Sequence, residues 1–177
     1  MSDVLERLTY QFLMLPEDRI TLIYLGGLVL GGLLAFLAPA WTRLARAPYF
    51  ALSWLVMLGV IAAQFVWYLT GYVVELQLMW VLLALSMLAF LLGGNLYGRL
   101  AMARARDAFG GNMNALLAFI PLLNLVLYFA PGRVRQEKDY AEMRVPALFK
   151  GWMGIVTGLL VFAGFQALNL LAILGGG

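Results

Sequence analysis

The residues in this chain that could do chemistry are few, and none is a conventional catalyst. Its 177 residues include no cysteine and no histidine. That inventory excludes Cys/His zinc sites, iron–sulfur clusters, redox thiols, His-ligated haem and Ser-His triads. No Asp, Glu, Lys or Arg lies well inside an apolar run. Intramembrane charges mark proton relays, ion pathways and voltage sensors, so a proton-coupled pump is not expected. The polar groups inside the apolar runs are neutral: Gln64, Ser86, Asn95, Asn124, Thr157, Gln166 and Asn169. Such amides and hydroxyls could line a path for a small solute or a lipid headgroup. They could equally bond helix to helix, at about 0.6 kcal/mol each. Gln166 and Asn169, three apart on one helix face, are the pair best placed to share a site, within the chain or with a partner. An enzyme acting on lipid would have to draw on Asp107, Asp139 or Glu142. No cofactor, metal or catalytic residue is expected.

The composition says what positions these groups. Hydrophobic residues make up 64% of the chain, and the mean hydropathy is +0.90. Charged residues are 12%, about half the share in a soluble domain. A single soluble core of this length cannot hold so much apolar surface. The expected fold is all-α: a polytopic transmembrane bundle forming one integral membrane domain. The net charge of +3 then reads as basic cytoplasmic loops and not as a nucleic-acid surface. The first fifteen residues lack a basic n-region and a small-residue cleavage site, so the first apolar segment is expected to stay as an anchor.

Residues 3–15 read as an amphipathic helix, with Val4, Leu5, Leu8, Phe12 and Leu15 at helical spacing. Asp3 and Glu6 have the spacing of a capping box, and Pro16 ends the helix. It either lies on the membrane surface or packs on its own bundle. Four spans are firm: about 20–40, 49–72, 78–97 and 152–174. The first ends at Pro39 and carries Gly27, Gly31 and Ala35 four apart. The third carries Gly94 and Gly98, and the last Gly154 and Gly158. Small residues at this spacing let backbones approach closely, within a chain or between chains. In the second, Trp54 at one end and Trp67, Tyr68 and Tyr72 at the other fit interfacial belts. The segment at 113–130 is shorter and holds Pro121 at its centre, where a helix must kink or break.

Ten of the twelve basic residues fall in three expected loops, 41–48, 98–112 and 131–150. The positive-inside rule puts all three in the cytoplasm. They agree only if 113–130 is re-entrant and its two flanks stay on one side. A plain fifth span with a proline kink would put the most basic loop, with Arg133, Arg135, Lys138, Arg144 and Lys150, outside. Arg99, Arg104 and Arg106 are expected to meet anionic lipid headgroups, and Arg104 lies within pairing reach of Asp107.

Residues 104–132 resemble the YhaH-like family of small bacterial inner-membrane proteins, a domain of unknown function. Its pattern is Arg-x-His-Asp-x-Gly-x-Ser-Gly-Trp-Trp, a leucine run, Ile-Pro, then Pro-Gly. The matching positions are Arg104, Asp107, Leu116, Leu117, Ile120, Pro121, Pro131 and Gly132. Arg106 stands where the family has its histidine, and the Ser-Gly-Trp-Trp block is replaced around Asn112 to Ala115. The resemblance implies a small bacterial inner-membrane protein with no settled activity.

Two functions from different classes fit the sequence. One is a non-catalytic accessory, assembly or scaffold subunit of a larger bacterial inner-membrane complex, its partners being lipids, other membrane subunits or further copies of itself. The other is a channel or transporter for a small neutral solute or lipid, with Asn95, Asn124 and Gln166 along its path.

Overall fold

The computed structural model describes residues 2–38, 42–132 and 141–175. Pro39, Arg133, Arg135, Lys138 and Asp139 lie outside the described residues. The described residues are all-α apart from one two-residue pairing. Its helices are α1 (Ser2–Leu13), α2 (Glu17–Leu34), α3 (Arg46–Gln64), α4 (Thr70–Val74), α5 (Met79–Phe109), α6 (Pro121–Phe129) and α7 (Gly151–Gly175). Among the described residues, four stretches are long and apolar enough to cross a membrane: Glu17–Leu37, Arg46–Val74, Met79–Phe109 and Gly151–Leu171.

The third stretch corrects an expectation. Residues 98–109 were expected as loop, and they continue α5 for three more turns. Leu100, Ala101, Met102, Ala103 and Ala105 are strong helix formers, and the interspersed arginines are nearly as good. The helix stops where Gly110 adopts φ 78°, the left-handed cap that favours glycine.

The long helices have fixed relative directions. Tyr24 stacks on Phe90 with ring centroids 4.6 Å apart, and Ala35 lies beside Gly98, so α2 and α5 run parallel. Gln64 meets Ser86 and Val60 meets Gly93, so α3 runs antiparallel to α5. Ala47 lies beside Gly154 and Trp54 packs on Phe162, so α7 runs parallel to α3.

The stretch 113–130 is not one kinked helix. A 3₁₀ segment spans Met113–Phe119, Ile120 is extended (φ −111°, ψ 112°), and α6 begins at Pro121. Proline suits the first helical position, where its missing N–H is not needed. The two arms form a hairpin folded back along α5. At its tip the Ala118 carbonyl accepts from the Tyr97 hydroxyl at 3.2 Å. On its return Arg104 reaches Leu127 and Ala130, and Gly132 lies against Asp107. Tyr97 and Asp107 are ten residues apart, about 15 Å of helix. The hairpin therefore enters and leaves at the same end of α5.

Glu6 gives another correction. Its carboxylate does not serve α1 as a capping-box partner. It accepts the Met79 N–H at 3.1 Å and the Trp80 N–H at 3.2 Å, and so caps the first turn of α5. The first N–H groups of a helix have no internal acceptor, and negative charge there meets the positive end of the helix dipole. This anchors α1 to the bundle, while Val4 and Leu8 on its other edge stay exposed.

The most buried part of the molecule is the basic end of α5, where Ala101, Met102, Ala103 and Ala105 are fully enclosed. There β1 (Thr42–Arg43) pairs in parallel with β2 (Ala141–Glu142). Leu44 donates its N–H to the Ala103 carbonyl at 3.0 Å.

Candidate functional site

The densest polar arrangement lies at this buried end. The side chain of Arg104 has no solvent exposure. Its Nε donates to the Leu127 carbonyl at 2.8 Å, its Nη2 to the Ala130 carbonyl and its Nη1 to Asp107. The last carbonyls of α6 lack internal donors, and a cation there is favoured by the helix dipole. One planar guanidinium thus closes the end of α6 and the ion pair within α5. The alanines at 101, 103, 105 and 108 make this possible, because they let the hairpin and β1 approach the helix closely. Gly132 is needed for a related reason: a Cβ there would stand 2.9 Å from Asp107 Oδ2.

Arg106 is buried as well, and its Nη1 donates to the Thr42 carbonyl at 3.3 Å. The expectation that Arg104 and Arg106 face lipid headgroups is therefore corrected. Each is enclosed by a segment distant in sequence, the hairpin for one and β1 for the other. Arg99 is exposed.

Above the clamp, Asn124 links two helices. Tyr49 of α3 donates to its Oδ1 at 3.0 Å, and its Nδ2 donates to the Tyr97 hydroxyl of α5 at 2.8 Å. Ser53 and Tyr128 add a second bond between α3 and α6, at 3.0 Å. The other amides fall elsewhere. Gln64 joins Tyr24, Trp67 and Ser86 in a cluster centred on the buried Ser86 hydroxyl. Asn95 donates to the Gly31 carbonyl at 3.3 Å. Thr157 donates to the Leu148 carbonyl at 3.0 Å. Gln166 is exposed and Asn169 half-buried, and neither makes a hydrogen bond among the described residues. The expected polar residues are thus not brought to one place.

The small residues meet one another inside the chain. A Cβ on Gly31 would run into the Leu91 carbonyl, and one on Gly94 into the Leu28 carbonyl. Gly98 faces Gly32 and Ala35, and Gly27 faces Phe90. Gly154 and Gly158 lie on Ala47, Phe50 and Ala51 of α3. Gly32, which seats the Phe119 ring at the hairpin tip, lies outside the four-residue spacing of Gly27, Gly31 and Ala35 and carried no signal of this contact in the sequence.

A polar cleft of about 600 Å³ opens beside the clamp, lined by Arg43, Arg46, Arg104, Asp107, Gly132 and Glu142. Among these, Arg43 and Arg46 were legible only as loop charges. The tyrosines Tyr49 and Tyr97, which hold the hairpin, gave no sequence signal. Four positions of the family resemblance, Arg104, Asp107, Pro131 and Gly132, share this cleft. Among the described residues no three acidic side chains cluster to hold a metal ion. No protein-family model, curated protein or solved structure matches the chain.

Proposed function

We propose that this chain is a non-catalytic accessory, assembly or scaffold subunit of a larger bacterial inner-membrane complex. Its N-terminus is outside, its basic helix ends are in the cytoplasm, and the hairpin enters and leaves the bilayer from that side. The parallel run of α3 and α7 supports this path, since one full crossing, α5, separates them.

The observation that carries the subunit reading is Gln166. It is exposed on α7, in a row with the exposed Val156, Ala163 and Leu170. It lies fifteen residues from the start of α7, about 22 Å into the span. An amide facing hydrocarbon is costly, and a partner helix satisfies it. Two of the three amides expected along a solute path, Asn95 and Asn124, are bonded within the bundle.

The test is a pulldown from native membranes in mild detergent, followed by mass spectrometry. A stoichiometric set of larger membrane subunits, lost in Gln166→Leu, is the expected result. A monodisperse free monomer under every mild condition sinks the proposal.

A further inference from the structure

A second cleft adjoins the polar one. It lies between α3, α6 and α7, encloses about 510 Å³ and is walled by Phe50, Trp54, Leu125, Phe129 and Leu159. A volume in this range suits a bound small molecule or chain. Its walls are apolar apart from Arg46 and the Tyr128 hydroxyl, and that hydroxyl is already paired with Ser53. Arg46 lines both clefts. One arginine thus stands where a hydrocarbon-lined trough meets a polar chamber.

The chamber holds three arginines against two carboxylates. Arg104 is taken by Asp107 and two carbonyls. Arg46, exposed in the first turn of α3, makes no hydrogen bond or ion pair among the described residues. The trough is built beforehand and is open on its outer side. Trp54 is braced edge-on by Phe162 and Phe165 at 4.6 and 5.2 Å, Phe50 packs on Tyr128 at 5.5 Å, and Phe129 is 75% exposed.

We propose that the two clefts together hold one anionic glycerophospholipid, with its phosphate on Arg46 and one acyl chain in the trough. Each half of the arrangement excludes a simpler occupant. Free phosphate would leave the trough uncovered. A lipid without a phosphate would leave the arginine at the edge of hydrocarbon without a counter-charge, and a zwitterionic one would bring its own cation into a chamber lined by Arg43, Arg46 and Arg104, whereas basic residues at this level attract anionic headgroups. The inference rests on the four apolar stretches crossing a membrane, and not on the accessory role.

The experiment uses the full chain in mild non-ionic detergent, with native mass spectrometry reading retained lipid. The probes are dioleoyl phosphatidylglycerol, dioleoyl phosphatidylcholine and inorganic phosphate. One phosphatidylglycerol per chain is expected, at least about tenfold over phosphatidylcholine. Arg46→Gln should remove that preference and Arg46→Lys should retain it. Leu159→Trp, which fills the trough from a half-exposed position, should lower retention of both lipids. Arg7→Gln, on α1, should change nothing. Equal retention of the two lipids, unaltered by Arg46→Gln and Leu159→Trp, means annular lipid only and overturns the proposal. So does displacement by inorganic phosphate, or failure of the parent chain to retain phosphatidylglycerol. A chain that stays dispersed without detergent would instead refute the membrane reading beneath it.

Discussion

The Asn124 amide nitrogen stands 2.8 Å from the Tyr97 hydroxyl and donates to it, so the first turn of α6 is tied to the middle of α5. Through Tyr49 the same amide also reaches α3. The residue is a junction among three elements, and its loss leaves the Tyr49 hydroxyl without this acceptor and the Tyr97 hydroxyl without this donor, its bond to the Ala118 carbonyl remaining. Asn124→Leu should therefore destabilise the fold by about 1–3 kcal/mol, the cost of leaving buried polar groups unpaired. Thermal unfolding in detergent measures it. An unchanged melting temperature would show that the junction is dispensable.

Arg104 should be the most sensitive charged position. Removing it leaves Asp107 and two carbonyls without a donor. Arg104→Ala is expected to cost about 3–5 kcal/mol, as for breaking a buried pair from one side. Arg104→Lys keeps the charge and loses the fork that reaches three acceptors, so its stability should fall in between. Arg99→Ala, at an exposed position, should stay within about 0.5 kcal/mol of the parent. Hydrogen exchange across 113–130 locates the damage: faster exchange confined to the hairpin is the expected pattern for Arg104→Ala.

The path of the chain is testable with single cysteines, because the chain has none of its own. A side chain at Gly71 or Gly111 would meet nothing within 4 Å, and Pro131 is exposed. Cysteines at 111 and 131 should react with an impermeant maleimide from the same side of the membrane, and a cysteine at 71 from the other. Labelling of 111 and 131 from opposite sides would mean that the hairpin crosses.

The glycines of the chain separate into two groups. Gly31→Val puts a branched side chain against the Leu91 carbonyl and should cost at least about 1–3 kcal/mol through overpacking. Gly59 sits in α3 with open space around it, so Gly59→Ala should be neutral or should stabilise by about 0.5–1 kcal/mol. Melting temperatures of the two variants, compared with the parent, check both signs.

The spans were legible because an apolar run of twenty residues is a local property of the sequence, and so is the break at Pro121. The small-residue spacings at 27, 31, 94 and 98 were legible too, though not which helix each would meet. What stayed hidden depended on segments far apart in the chain. An arginine in a polar stretch reads as solvated, and nothing near Arg104 in the sequence says that Leu127 and Ala130 fold back over it. Glu6 has the spacing of a local cap, yet its acceptor oxygens serve a helix that starts 73 residues later. The extension of α5 past Gly98 was masked by its arginines, because their charge marks a solvated loop while their helix propensity is a weak local signal.

The arginine clamp also has a consequence for the order in which the protein is made. Arg104 emerges from the ribosome 23 residues before Leu127 and 26 before Ala130. During that interval Asp107 alone of its three partners can be in place. The last turns of α5 must wait without that cover until the hairpin has emerged and has turned back. The enclosure of this end of α5 is therefore completed late. A chain truncated after Gly110 and released from the ribosome should leave Arg104 open to phenylglyoxal, and the finished chain should shield it.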